Sequence, residues 1–503
     1  MTFANASTNQ GEERPSLLLQ YVLLIAVAVL LRTIFTAPVE TGGDAVRKWN
    51  LVGRLLDGEA FSALLQNHQT ARWAINLPAL GFAELFGWNL TTYFAIGIVL
   101  FAVFLCLSAF YLRKSGYGFI YFAFFVIVLF ADPMFFRSTG QLQPFIFVAV
   151  FMLAHAYFVE RGVQSQSQVS YASAALFIFL AYGAKETAVF FVPASCAYVL
   201  IAMGFRRGVN TLLWIGLYGV LLVLIEYAVI NILAGRWVPL GRLDLLDRHW
   251  GNMQRHADGF AFGELFNSWR QLPFYTAVLF VAASASTAYV ACRSWMARTM
   301  NPLMLPIFFF LSFAFFQTFA IRSLDPLVTF SPPQAKYLAD LVPWACFAIV
   351  AAAALLISDI SDRQMARRVW QALIGSALAI CVAALLFPNQ YWGHPKARAW
   401  IWHGDDTMAF VRDLVDSGVP ITDLGGHRGP RVSRTVLGGI LGRDLKTIQA
   451  EGRKRFLLVP NEAGKTPDIV DGFCIDGTAM KYGLYVTKCR LRESEQSTRN
   501  DAE

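Results

Sequence analysis

The chain has 503 residues, of which 56% are hydrophobic and 15% charged. A soluble domain carries about a quarter charged residues, so an ordinary globular protein is excluded. The formal net charge is +8, but the basic residues are scattered between apolar blocks and form no stripe. That pattern excludes a nucleic-acid-binding surface and suits contacts with membrane lipids.

A bilayer core of about 30 Å takes about 20 apolar helical residues to cross. In chain order, apolar blocks predict eleven spans, near 17–37, 92–112, 117–131, 144–160, 170–182, 187–204, 211–233, 272–291, 302–320, 338–357 and 369–387. The first block is too long for a signal-peptide core and is followed by no cleavage site. It reads as a retained span after a cytoplasmic tail, 1–16. With the N-terminus cytoplasmic, each short connector on that side carries a basic residue, from Arg14 to Arg363, Arg367 and Arg368. The positive-inside rule asks for this. The opposite side receives the long connectors 38–91 and 234–271 and the tail 388–503. The expected architecture is an all-α polytopic membrane domain over 17–387 with an external, soluble C-terminal domain. No internal repeat of the kind found in many transporters is visible.

The tail predicts a small α/β domain. Asp405 and Asp406 suit the start of a helix, Met408, Val411, Leu414 and Val415 give it an apolar face, and strands are expected near 456–459 and 484–486. Cys474 and Cys489 share this tail, where an oxidising compartment would allow a disulfide; two cysteines leave the pairing open. The other five cysteines lie in apolar runs as small hydrophobes. No metal-type spacing is present.

The first long connector is the most informative. It contains Glu40, then Gly42-Gly43-Asp44-Ala45-Val46-Arg47-Lys48-Trp49, then His68-Gln69-Thr70-Ala71-Arg72-Trp73. A helix is expected to start near Asp44. Its face of Trp49, Leu51, Val52, Leu55 and Leu56 suits a position on the bilayer surface. Asp44 either caps that helix or acts as a carboxylate beside Arg47, Lys48 and Arg72. Further on, Lys185 and Glu186 follow a span. They form either a snorkelling ion pair or, through Lys185, a point charge for a phosphate. Lys336 and Tyr337, six residues before Pro343, form either a membrane anchor or a third polar station. The connector 234–271 adds Arg236, Arg242, Arg248, Arg255 and Arg270 with three tryptophans, which suits headgroups or sugars. Asp132 and Arg137 are close enough in sequence to pair. Arg32 is placed to snorkel, and Glu226 is an intramembrane carboxylate, either hydrogen-bonded or functional. Phosphate-loop, Gly-x-Ser-x-Gly and His-Glu-x-x-His motifs are absent from the sequence.

Taken in order, Asp44 in the first external loop, Lys185-Glu186-Thr187 after a middle span, and Lys336-Tyr337 before Pro343 resemble the GT-C class of membrane glycosyltransferases. That class includes aminoarabinose and protein-mannosyl transferases. The Gly-Asp-Ala-Val-Arg-Lys-Trp and His-Gln-Thr-Ala-Arg-Trp segments look most like its family-39-type members from surface-polysaccharide clusters. The likeness is spread over 17–357; the tail matches only in position. Two departures stand out. Ala45 occupies the place where many relatives carry a second acidic residue, and Lys336 replaces the usual arginine, keeping the charge without the bidentate fork.

The resemblance implies a transferase of a bacterial inner membrane, working on the periplasmic face. Its donor would be a sugar on a polyprenyl phosphate and its acceptor a cell-envelope glycan or lipid. Asp44 would be the general base. Lys185, Arg72, Lys336, Arg47 and Lys48 would meet the donor phosphate, with Glu40, Glu186, His68 and Tyr337 in support. Class members work with or without a divalent metal, and with no second carboxylate adjoining Asp44 neither a metal nor another cofactor is expected. Three other readings remain open. A polysaccharide polymerase or ligase would work through 234–271, a lipid-linked-sugar flippase would move its substrate unchanged, and an assembly protein would bind through its tail.

Overall fold

The computed structural model describes residues 2–3, 15–34, 44–65, 68–132, 134–135, 142–238, 242, 262–324, 327–329, 335–386, 455–460, 469–470, 473–474 and 484–489. Its helices are α1 (Pro15–Ile34), α2 (Asp44–Leu56), α3 (Trp73–Phe86), α4 (Leu90–Lys114), α5 (Phe119–Phe130), α6 (Pro144–Ser165) and α7 (Gln168–Ala184). They continue with α8 (Val192–Met203), α9 (Phe205–Ala234), α10 (Phe274–Ala297), α11 (Met304–Phe319), α12 (Val342–Asp359) and α13 (Arg363–Leu386). Every segment expected to span coincides with a helix. Seven helices among the described residues are long and apolar enough to cross a membrane. Leu17–Thr33, Phe119–Phe130, Gln168–Ala184 and Met304–Phe319 are shorter apolar helices. The protein is a polytopic, all-α membrane protein.

Helix α3 was not expected. Trp73–Phe86 is too short to signal a span and contains Pro78, yet it is apolar and helical. Helix α9 is bounded by glycines that a side chain would strain: Gly204 (φ +74) before it and Gly235 (φ +60) after it. Leu213, Leu217, Leu221 and Leu224 stand exposed along one side of α9. Such a stripe belongs against lipid.

Two spans begin in the same way. The 3-10 turn Glu186–Phe191 runs into α8, and the 3-10 turn Ala335–Leu341 runs into α12. Each helix has proline at its second residue, Pro193 and Pro343. Proline is tolerated there because its missing N–H has no helical partner to lose. The tighter turns upstream carry the polar residues described below.

The chain divides into two compact units. One comprises 1–36, 60–78 and 95–394; the other comprises 37–59, 79–94 and 395–503. In the second unit, α2 starts at Asp44, where the sequence places a helix start. Its apolar face does not lie on the bilayer. Trp49, Leu51 and Val52 are essentially inaccessible and Leu55 is buried. The Trp49 ring packs 6.4 Å from Trp88 and 5.7 Å from Tyr93, and Trp88 Nε1 donates to the Trp49 carbonyl at 3.0 Å. An amphipathic helix buries against whichever apolar surface is nearest, and here the protein supplies it. The tail contributes two antiparallel pairs, Arg455–Pro460 with Leu484–Cys489 and Ile469–Val470 with Phe473–Cys474. The strands expected near 456–459 and 484–486 are the longer pair. The helix expected from Asp405 lies outside the described residues.

A Cβ built on Gly53 would meet the Trp88 ring at 2.4 Å, whereas one on Gly81 meets nothing within 4 Å. Gly53→Ala is therefore expected to destabilise by about 1–3 kcal/mol through overpacking. Gly81→Ala, inside α3, should be neutral or slightly stabilising. Thermal unfolding of the two variants in one detergent separates them.

Candidate functional site

The site is built at the C-terminal end of α7. The helix stops at Ala184, and Lys185 is extended (φ −157, ψ 126) before the 3-10 turn begins at Glu186. This break sends two adjacent charged side chains to different partners. The Lys185 ammonium pairs with the Asp340 carboxylate, which comes from the 3-10 turn Ala335–Leu341. Its Nζ lies 4.2 Å from the centre of the Phe145 ring and 5.3 Å from that of Tyr337. Both members of the pair are almost wholly buried. Burial pushes the Lys185 ammonium below the usual lysine range, against the pull of Asp340.

Glu186 pairs with Arg72 at 3.1 Å. The other terminal nitrogen of Arg72 donates to Gln69 Oε1 at 2.8 Å, and the Gln69 amide nitrogen lies 2.8 Å from His68 Nε2. Asn76, in the first turn of α3, holds this segment in place. Its amide donates to the carbonyls of Thr70 at 2.7 Å and Gln69 at 3.3 Å. Arg72 also acts electrostatically on Lys185 and Asp340, so the two ion pairs form one cluster.

A third pair supports the first two. Arg242 donates to the carbonyls of Gly183 (3.0 Å) and Tyr182 (2.6 Å), the last turn of α7. Helix ends leave such carbonyls unpaired, and a cation there is favoured by the helix dipole. Arg242 Nε lies 3.5 Å from Glu226 Oε1, which also accepts from Trp73 Nε1 at 2.6 Å. Trp73 in turn presses on α7, because a Cβ on Gly183 would sit 2.7 Å from its ring. Three cations and three carboxylates thus meet around one helix end. Buried charge is tolerated only in such paired arrangements.

The structure brings together His68, Arg72, Lys185, Glu186 and Tyr337, all expected at the site from sequence, with Glu226, singled out only as an intramembrane carboxylate. Lys336 is on the same 3-10 turn as Tyr337, but its side chain is outside the described residues. Asp44, Arg47 and Lys48 lie on α2 in the other unit. Lys48 is fully buried, the side chains of Asp44 and Arg47 are outside the described residues, and so is Glu40. Asp340 is the residue that sequence reasoning missed, and Arg242 was named only as one of five arginines in the connector 234–271. A carboxylate inside the expected span 338–357 was a usable signal for Asp340; nothing distinguished Arg242 from its neighbouring arginines. Arg32 does not snorkel but is buried. Asp132 accepts from Thr276 Oγ1 (2.7 Å) and the Phe135 amide (2.8 Å), while Arg137 is outside the described residues. Among the described residues no three His, Cys, Asp or Glu side chains group closely enough to hold a metal ion.

No family model matches the sequence, and no curated protein matches it. A solved structure does. The crystal structure of ArnT from Cupriavidus metallidurans bound to undecaprenyl phosphate aligns with a TM-score of 0.52 over 94% of this chain and 98% of that one, at 14% identity. The chain has a GT-C-like fold. At that identity the likeness is one of architecture, and it extends over nearly the full length of both chains.

Arg242→Ala should leave Glu226 with Trp73 as its remaining described partner and uncap α7. The expected destabilisation is about 3 kcal/mol, as for other broken buried pairs. Arg242→Lys should restore little of it, because one ammonium cannot bond two carbonyls and a carboxylate with the guanidinium's geometry. The midpoint of thermal unfolding in detergent measures both.

Proposed function

We propose that this protein is a glycosyltransferase of a bacterial inner membrane that takes its sugar from a polyprenyl-phosphate donor on the periplasmic face. The observation that carries this reading is the cluster at the end of α7. Three separate segments deliver Arg72, Lys185 and Arg242 to one buried place, on a GT-C-like fold whose solved counterpart, ArnT, was crystallised with undecaprenyl phosphate. Cations at a span boundary suit a lipid phosphate, whose headgroup sits at that depth while its chain stays in hydrocarbon.

In this reaction an acceptor hydroxyl attacks the anomeric carbon of the donor sugar. The bond between that carbon and the phosphate oxygen breaks, and its electron pair leaves with the polyprenyl phosphate. Lys185 and Arg72 stabilise the developing phosphate charge, with Lys336, Arg47 and Lys48 as further donor contacts. Asp44, at the start of α2, takes the hydroxyl proton. Glu40, Glu186, His68 and Tyr337 orient these groups. Attack opposite the leaving group inverts the anomeric configuration. The acceptor is a glycan or lipid of the cell envelope. The N-terminus is cytoplasmic, and the tail from 388 onward is a periplasmic domain.

The test uses purified full-length protein in nanodiscs, a mixed pool of radiolabelled polyprenyl-phosphate sugars and a membrane lipid extract. Wild type should consume a donor and label a product, and Asp44→Asn should lower the rate about 10²–10⁴-fold, the range for loss of a general base. An Asp44→Asn enzyme that turns over like wild type would remove Asp44 from the chemistry. Donor that crosses the bilayer unconsumed would instead identify a flippase.

A further inference from the structure

Lys185 is fully engaged in this structure. Its ammonium is held by Asp340 between the Phe145 and Tyr337 rings, and it is 2% exposed. The carboxylate that holds it is only half used. Oδ2 takes the lysine, while Oδ1 is buried with no hydrogen-bond partner among the described residues. An unpaired buried acceptor is unfavourable, and in the same cluster Glu186 Oε1 and Arg242 Nε also lack a hydrogen-bond partner among the described residues, so the cluster as a whole holds unused polar capacity. The one hydrogen bond of the Asp340 side chain among the described residues is the bond to Lys185.

The backbone on both sides departs from the α-helix. Lys185 is a single extended residue between a helix and a 3-10 turn, and Asp340 lies within a 3-10 turn just ahead of α12. Such turns have poorer hydrogen-bond geometry than α-helix and often mark hinges.

We infer that Asp340 is a resident counter-ion, holding Lys185 until a phosphate group takes its place. This rests on the reading of Lys185 as a donor-phosphate contact and adds a competitor to it. A carboxylate oxygen and a phosphate oxygen offer the same charge and the same acceptor chemistry to an ammonium. On binding, the lysine exchanges one oxygen for the other. The released carboxylate turns toward Arg72, the next cation that acts on it. The empty site thereby carries no bare buried cation. The apparent affinity for phosphate is reduced by the fraction of molecules in which Lys185 is free.

Binding of undecaprenyl phosphate to the full chain in nanodiscs tests this. Wild type should bind and Lys185→Ala should not. Asp340→Asn should bind about tenfold tighter, as expected if Lys185 is free in about one molecule in ten. Equal or weaker binding by folded Asp340→Asn, with wild type binding and Lys185→Ala not, would overturn the counter-ion role and leave the phosphate contact standing. Folded wild type and Asp340→Asn that both fail to bind would overturn the phosphate contact itself. Infrared difference spectra of wild type, with and without the lipid, give a second readout that does not depend on recovering Asp340→Asn. A carboxylate band that shifts on binding, and moves in Asp340→Glu, supports the exchange; no change at any carboxylate overturns it.

Discussion

A charge placed among hydrophobic helices must find an opposite charge, because there is no water to solvate it. Around the end of α7 this constraint organises the protein. Lys185 and Glu186 are neighbours in sequence but pair in different directions, one with Asp340 and the other with Arg72. Arg242 fastens the helix end behind them and is itself balanced by Glu226. Residues distant in sequence are thereby bound to one point: the segment ahead of α3, Arg242 beyond α9 and the turn ahead of α12.

The local backbone serves this arrangement. The helix ends at Ala184, Lys185 is extended and Glu186 opens a 3-10 turn. From this break Lys185 reaches Asp340 and Glu186 reaches Arg72. Proline at the second position of α8 and of α12 tolerates the irregular entry without losing a hydrogen bond. Close packing then makes the geometry specific: Gly183 has no side chain because the Trp73 ring occupies that space. The same tryptophan donates to Glu226, so packing and charge balance share one residue.

The unit that contains α2 shows a different economy. Its helix carries charge at the N-terminal end and an aromatic contact at its centre, where Trp49 meets Trp88 and Tyr93. The described residues of the connector 38–91 are thus largely helical, in α2 and α3. Under the proposed function α2 carries the general base, and a rigid support suits that role.

Much of the architecture was determined by the sequence alone. Apolar blocks long enough to cross a bilayer can be read without knowing their neighbours, because each helix satisfies its own backbone hydrogen bonds; every one of the expected segments is a helix. The motifs around Arg72, Lys185 and Tyr337 were also visible as polar interruptions between such blocks. Only the tertiary structure decided how they pair. Asp340 lies 155 residues from Lys185 in sequence and Glu186 lies 114 from Arg72, and no local pattern encodes contacts at that separation. The surface that α2 buries against was likewise undetermined. An amphipathic face specifies that something apolar must cover it, and whether lipid or protein does so depends on where the rest of the chain is packed.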